Sequence, residues 1–430
     1  MRIFSGRGRE ILGRTIAEKI LANHSGQPAR AGDIVLADLD FIMGQDGTSP
    51  LAIDVFRQMG GVKVAEPSKA ALVIDHNAPS PSEGVSALHD MMRGFSREMG
   101  VQIYDVGEGV CHQLVPEQGY VVPGDLVIGA DSHTCTYGAL NAFATGVGST
   151  DLAAALYSGK MWFRVPPTMR VLCHGALAKG VTAKDLVLFL VGQIGADGAT
   201  YMALEFAGEA ISQLSVDARL TIANMAVEMG AKAGLMEADE KTLAWVAGRS
   251  ARQPQPVQAD ADAEYEKVLE FDVSDLPPYV AVPHRVDTVV PVSAVEGKRI
   301  QQAVIGTCTN GRLEDLQQAA RILAGKRIAE GVRLIVAPAS RQILLDAIAD
   351  GTIGQLVAAG AALVTPGCGP CVGTHNGIPA DGETVISTAN RNFKGRMGNN
   401  KAKIYLGSAA TVAASALSGM ITDPRRVADE

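Results

Sequence analysis

Short β-branched and aliphatic runs alternate along the chain with longer stretches whose apolar positions recur at helical spacing. That alternation predicts an α/β protein built on parallel strands. Five of the runs end in a polar loop. Ala71-Leu-Val-Ile74 leads into Asp75-His76-Asn77, and Leu126-Val-Ile128 into Asp131-Ser132-His133-Thr134. Ala303-Val-Ile305 leads into Cys308-Thr309-Asn310, ahead of a helix starting near Arg312. Ala362-Leu-Val364 leads into Gly367-Cys-Gly-Pro-Cys371, and Thr384-Val-Ile386 into Asn390-Arg391-Asn392 and on to Arg396. In open α/β sheets, ligands bind outside the carboxyl ends of the strands. A single such loop is explained by helix capping or turn formation. Five of them carrying His, Cys or Arg predict a functional cleft.

Other segments read as scaffold. A helix is expected from Thr15 to Leu21. Thr182-Ala-Lys-Asp185 before an apolar run is a capping box. Ser215-Val-Asp217 caps a helix expected to reach about Gly230, on which Asn224 and Glu228, four apart, share a face; a solvated polar face is the plain alternative for that pair. The stretch from Gly138 to Thr150 lacks a Walker lysine and a G-x-G-x-x-G pattern, so a helix–loop packing element is expected rather than a nucleotide site. Gln253-Pro-Gln-Pro256 and the polar residues after it predict an exposed loop. Proline disfavours helix at Val165-Pro-Pro-Thr168 and along Leu276-Pro-Pro-Tyr-Val-Ala-Val-Pro283. Those breaks divide the chain into expected units at 1–165, 166–282 and 283–430.

Length and composition narrow the function classes. A chain of 430 residues is expected to hold two to four domains. With 47% hydrophobic and 20% charged residues it can bury a large core, which excludes disorder as the main state. A net charge of -8 argues against nucleic acid as a partner. No segment approaches the ~20 apolar residues that cross a bilayer, so no membrane partner is expected. The basic start from Met1 to Glu10 has no apolar core of a secretion signal, and a cytoplasmic location is expected.

The six cysteines add candidate chemistry. In a reducing compartment they are not a disulfide framework. Cys368 and Cys371 form one C-x-x-C, and Cys308 stands alone in Gly306-Thr-Cys-Thr-Asn-Gly311. Three thiolates are one short of a closed tetrahedral zinc site, and on an iron–sulfur cubane they would leave one iron open. Spacing alone leaves the cluster, a zinc site, a redox pair and inert thiols all open.

Taken together, Gln45-Asp-Gly-Thr48, Asp75-His76, Cys111-His112-Gln113, Gly129-Ala-Asp-Ser-His-Thr134, Asn224-Met-Ala-Val-Glu228, Gly306-Thr-Cys-Thr-Asn310, Gly369-Pro-Cys-Val-Gly373 and Asn390-Arg-Asn-Phe-Lys-Gly-Arg396 cover most of the chain. They resemble the aconitase superfamily, and within it the large subunits of the isopropylmalate dehydratase and homoaconitase types. The resemblance implies three α/β/α domains around a cleft, with the cluster ligands in the third. It implies one 4Fe-4S cluster with three cysteine ligands: Cys308, Cys368 and Cys371. Asp75, His76, His112, Asp131, His133 and Glu228 match catalytic positions of the family. Gln45, Ser132, Asn224, Asn390, Arg391 and Arg396 match substrate-binding positions. Cys111, Cys135 and Cys173 match no ligand position and are expected to be packed residues.

Two departures bear on the reaction. Aconitases continue into a swivelling fourth domain that supplies a serine base and further arginines, whereas this sequence ends at Glu430. The resemblance thus implies a separate small subunit carrying that domain. Within the resemblance, Gly129-Ala130 stands where many members have Gly-Thr and Lys394 where aconitase has threonine, which favours the pathway relatives over citrate aconitase. Dehydrating a small hydroxy di- or tricarboxylate needs a proton taken from carbon and hydroxide expelled, for which an open iron is a Lewis acid. His76 paired with Asp75, and His133 paired with Asp131, are expected to handle protons. Arg391 and Arg396 offer planar forks for carboxylates. The expected reaction interconverts 2-isopropylmalate and 3-isopropylmalate through an alkene, in leucine biosynthesis. Homoaconitate, citramalate and 2,3-dimethylmalate are alternative substrates; an RNA-binding regulator and a zinc-stabilised module are the readings of other classes.

Overall fold

The computed structural model describes residues 13–427; the basic start and both chain ends lie outside them. Three mainly parallel sheets succeed one another along the chain. The first has five parallel strands in the order Gln102–Tyr104, Ala70–Val73, Phe41–Gln45, Leu126–Gly129, Phe143–Gly146. The second has four, ordered Ala233–Leu235, Ala203–Ala207, Thr168–His174, Lys267–Asp272. In the third, the parallel strands Lys403–Leu406, Thr384–Ser387, Gln302–Gly306, Arg333–Ala337 and Ala362–Leu363 carry Tyr279–Ala281 and Val289–Pro291 antiparallel on one edge. Tyr279–Ala281 precedes the boundary expected at 282/283 yet pairs into the third sheet, so the change of sheet falls ahead of it.

The central strands Phe41–Gln45, Ala70–Val73, Leu126–Gly129 and Gln302–Gly306 are buried at every position. Both faces of these strands are buried, which is why they read as near-continuous apolar runs rather than alternating ones. The covering helices are amphipathic: Leu313–Leu323 buries Leu316, Ala319, Ala320 and Leu323, one stripe at helical spacing. Each large apolar side chain taken fully from water contributes about 2 kcal/mol.

The local predictions are met where capping chemistry decides them. Thr15 and Glu18 close a capping box on Ile16–Ser25, and Asp185 accepts from both the backbone and the hydroxyl of Thr182 at the start of Ala183–Ile194. Ser215 caps Val216–Asn224, after which the helix tightens to 3₁₀ over Met225–Met229 and stops at Gly230. The Gly138 to Thr150 stretch departs from expectation. It holds an edge strand, Phe143–Gly146, too short and glycine-containing to announce itself. Its packing role is real nonetheless: a Cβ at Gly138 would lie 2.0 Å from the Gly234 carbonyl oxygen. The loop after Gln253 is irregular, as expected, but is pinned where Asn141 bonds the N–H and carbonyl of buried Val257. Among the described residues no helix is long and apolar enough to cross a membrane.

Candidate active site

Two of the sheets reverse their winding where ligand sites form in this architecture. In the first, Phe41–Gln45 and Leu126–Gly129 are neighbours, and the loops beyond them carry Asp46 and Asp131. In the third, Gln302–Gly306 and Thr384–Ser387 are neighbours, and beyond them lie Cys308 and Asn390. Between these two points is a 90 Å³ cavity lined by His76, Val110, His112, Asp131, His133, Cys308, Cys368, Cys371, Asn390, Arg391 and Arg396.

Three imidazoles stand here, each fixed by carboxylates. Asp75 holds His76 Nδ1 at 2.7 Å, while Asp131 lies 3.3 Å from His76 Nε2. Both ring nitrogens thus face carboxylates. Burial alone would weaken this base, but Asp75 and Asp131 outweigh it and raise its pKa well above the ordinary value, which favours the protonated ring. His112 Nε2 donates to Asp131 at 2.8 Å; here burial prevails, its pKa is lowered, and its buried Nδ1 has no partner among the described residues. His133 Nε2 meets Glu228 at 2.8 Å. The pairing expected between His133 and Asp131 is present but longer, 3.4 Å at Nδ1; the nearest imidazole to Asp131 is that of His112. Burial opposes ionisation of Asp131 and Glu228, yet the surrounding imidazoles, and Arg391 beside Glu228, hold both below the usual carboxylate range.

The arginines and amides reach the thiols from the third sheet. Arg391 Nε donates to Glu228 at 2.7 Å and its Nη2 to Ser132 at 3.0 Å. Arg396 Nη2 donates to Cys371 Sγ at 3.2 Å, leaving its buried Nε without a partner among the described residues. Asn224 and Asn390 both donate to Cys308 Sγ, at 3.4 and 3.5 Å, and Asn390 bonds the Asn224 carbonyl oxygen at 3.2 Å. Gln45 stands apart: its side-chain oxygen turns back to the Gly47 N–H at 2.5 Å and does not line the cavity. Cys111, Cys135 and Cys173 are buried and also line no part of it. Burial pushes the Cys135 and Cys173 thiols up to about 12, so they are inert at neutral pH.

Three further polar residues shape the site through partners that the sequence pattern does not announce. Asp46 accepts the backbone N–H groups of Asp75, His76 and Asn77 at 3.0, 2.7 and 2.9 Å, and so shapes the His76 turn. Arg312, fully buried, donates to the carbonyls of Cys308 and Thr309 and to Gln113. Lys184 donates to the carbonyls of Thr388 and Ala389. The Cys308 turn itself needs glycine before it: Gly306 sits at φ +133, where a Cβ would lie 2.0 Å from the Ala337 carbonyl oxygen.

The chain matches the aconitase family (aconitate hydratase) over residues 18–419 and belongs to it. Among named relatives, it is 55% identical over 416 residues to the 3-isopropylmalate dehydratase large subunit 2 of Archaeoglobus fulgidus, covering 96% of this chain and 99% of that protein. It is 52% identical over 415 residues to the 3-isopropylmalate dehydratase large subunit 1 of Methanopyrus kandleri, with the same coverage. It is also 52% identical over 394 residues to a probable methanogen homoaconitase large subunit of Methanosarcina mazei, covering 91% of this chain and all of that protein.

The family implies an iron–sulfur cluster, and the residues present fit one. Cys308, Cys368 and Cys371 are buried soft donors lining one cavity, and the sulfurs of Cys308 and Cys371 receive N–H groups from Asn224, Asn390 and Arg396. Such bonds stabilise sulfur-borne negative charge. The unpartnered Nε of Arg396 leaves a donor for a further anionic group.

Proposed function

We propose that this chain is the large subunit of a hydro-lyase that interconverts 2-isopropylmalate and 3-isopropylmalate, a step of leucine biosynthesis in the cytoplasm. In this reading Cys308, Cys368 and Cys371 hold one 4Fe-4S cluster, and a separate small subunit completes the cleft with the swivelling domain. The observation that carries it is the shared cavity: three thiols, three carboxylate-fixed imidazoles and two arginines face the same 90 Å³. When bound, a cluster held by three thiolates would supply Lewis acidity, easing departure of a hydroxyl from the hydroxy acid at neutral pH.

The chain's own residues do the rest. Arg391 and Arg396 bind the substrate carboxylates; a planar fork holds such a group in one orientation, as an ammonium does not. Glu228 aims Arg391 through Nε and Ser132 braces it at Nη2. His76 holds its proton at Nε2 on the cavity side, with Asp75 fixing the ring through Nδ1, and delivers that proton to the departing hydroxyl. Asp131, bonded to His76 and His112, keeps the first ring charged and fixes the Nε2 proton of the second. The His133–Glu228 pair exchanges protons with the leaving or returning water. The small subunit provides the base that takes the proton from carbon.

Support for the substrate comes from the high identity to two large subunits named for 3-isopropylmalate. The relative named for homoaconitase supports a second reading, in which the substrate arm carries a carboxylate instead of an isopropyl group. The test is an anaerobically reconstituted complex with the small subunit, assayed on 2-isopropylmalate, citramalate, 2,3-dimethylmalate and homocitrate. The highest kcat/KM is expected for 2-isopropylmalate. A preference for homocitrate would replace the first reading with the second.

A further inference from the structure

Lys184 is fully buried, one of the largest such side chains in the protein. It stands on the helix Ala183–Ile194, which lies in sequence between two strands of the second sheet, yet its Nζ crosses to the third sheet. There it donates to the Thr388 and Ala389 carbonyl oxygens, both at 2.8 Å. These are the two peptide units between the end of strand Thr384–Ser387 and Asn390. The strand's hydrogen-bond ladder runs on only through the Thr388 N–H, which donates to the Val304 carbonyl at 3.0 Å. On the same turn, the Thr388 hydroxyl is tied to Gly306 and the Ala389 N–H to the Ser387 hydroxyl, but the two carbonyls are left to the lysine. Buried carbonyls without donors are costly, so the path of the turn depends on a group from another part of the chain.

Immediately after this turn come two side chains of the recognition machinery. Asn390 reaches Cys308, Cys371 and Asn224, and Arg391 reaches Glu228 and Ser132. We infer that Lys184 is a positioning residue: by gripping the Thr388 and Ala389 carbonyls it sets the direction in which Arg391 presents its guanidinium to the substrate carboxylate. Two N–H donors suffice for two carbonyls, and an amine has two even without its extra proton. Burial draws this ammonium down to about 7, so the grip survives loss of the charge.

This inference rests on the proposed use of Arg391 as a carboxylate fork. Its test uses the reconstituted holoenzyme with its small subunit, and compares wild type, Lys184→Met, Lys184→Gln, Arg391→Lys and the Lys184→Met/Arg391→Lys double variant. The substrate is 2-isopropylmalate or, should wild type prefer another acid of the panel, that acid, so a wrong substrate assignment shows in wild type alone. Lys184→Met keeps the length of the stem and removes the donors. It is expected to raise KM on the order of 10- to 100-fold, with kcat falling less and iron and sulfide content near wild type. Lys184→Gln, with an amide donor, recovers part of the loss. In the double variant KM rises no further than in Arg391→Lys alone, because the lysine acts through the arginine. KM effects that multiply in the double variant, or a Lys184→Met enzyme with unchanged KM and only a lower melting temperature, would overturn the assignment. If Lys184→Met does not fold, the same coupling is read with Lys184→Gln.

Discussion

Asp46 takes the His76 backbone N–H at 2.7 Å on the same carboxylate oxygen that receives the Asp75 N–H. With Asn77 on its other oxygen, it organises the whole turn that presents the His76 ring. Asp46→Asn keeps the size but replaces an acceptor by a donor in a buried site. The expected cost is about 2–4 kcal/mol in a denaturant titration, with a larger proportional loss of activity than the fold change explains.

The same contact gives a pH signature. Burial would raise the Asp46 pKa, but His89, His76 and the backbone donors lower it far below its ordinary 3.8. A depressed carboxyl stabilises the folded state above its unfolded pKa and loses that contribution as pH falls through the folded value. The stability gap between wild type and Asp46→Asn is therefore expected to be constant above about 5 and to shrink steadily below 3.8. Denaturant midpoints measured from neutral pH down to about 2.5 check it; a gap that widens in acid would contradict the assignment.

Glu228 joins His133 and Arg391 through one oxygen, at 2.8 and 2.7 Å. Glu228→Gln offers one acceptor in place of a carboxylate, so both partners lose their charged anchor. kcat/KM is expected to fall by about 10²–10⁴ while iron and sulfide content stays near wild type. Loss of the cluster in this variant would assign Glu228 to metal retention instead.

Arg396 binds Cys371 through Nη2, and its buried Nε has no partner among the described residues. Arg396→Lys supplies a point charge with no fork. KM for the dicarboxylate is expected to rise on the order of tenfold or more, with a smaller effect on kcat, and isotherms for a competitive dicarboxylate inhibitor check the binding part separately.

The outline of this site was open to reading because parallel strands deliver their loops to one edge. Asp75, His76, Asp131, Cys308 and Asn390 each follow an apolar run, and the resemblance to a known family groups them into one site. The helper residues were not open to the same reading. Lys184 lies inside a capping box, and nothing in Thr182-Ala-Lys-Asp185 says that the lysine turns inward to carbonyls 204 and 205 residues away. Arg312 reads as the start of a helix, while its guanidinium reaches Gln113 across 199 residues. Asp46 stands in Gln45-Asp-Gly-Thr48, a motif that says nothing of the His76 turn. Such residues break the apolar pattern without replacing it by another, so only the tertiary fold reveals their partners. The preference of Asp131 for His112 over His133 was hidden likewise, since neighbours in sequence suggest a pair and the 19-residue separation does not.

In the proposed function, dehydration depends on an iron–sulfur cluster held by the three buried sulfurs of Cys308, Cys368 and Cys371. That dependence is tested most directly by loading the chain anaerobically with graded amounts of iron and sulfide, adding the small subunit, and plotting 2-isopropylmalate turnover against bound iron. Turnover should rise in proportion to bound iron from zero, and Cys371→Ser should stay folded, iron-poor and inactive at every loading. Full turnover by a folded, iron-free complex would show that dehydration needs no cluster.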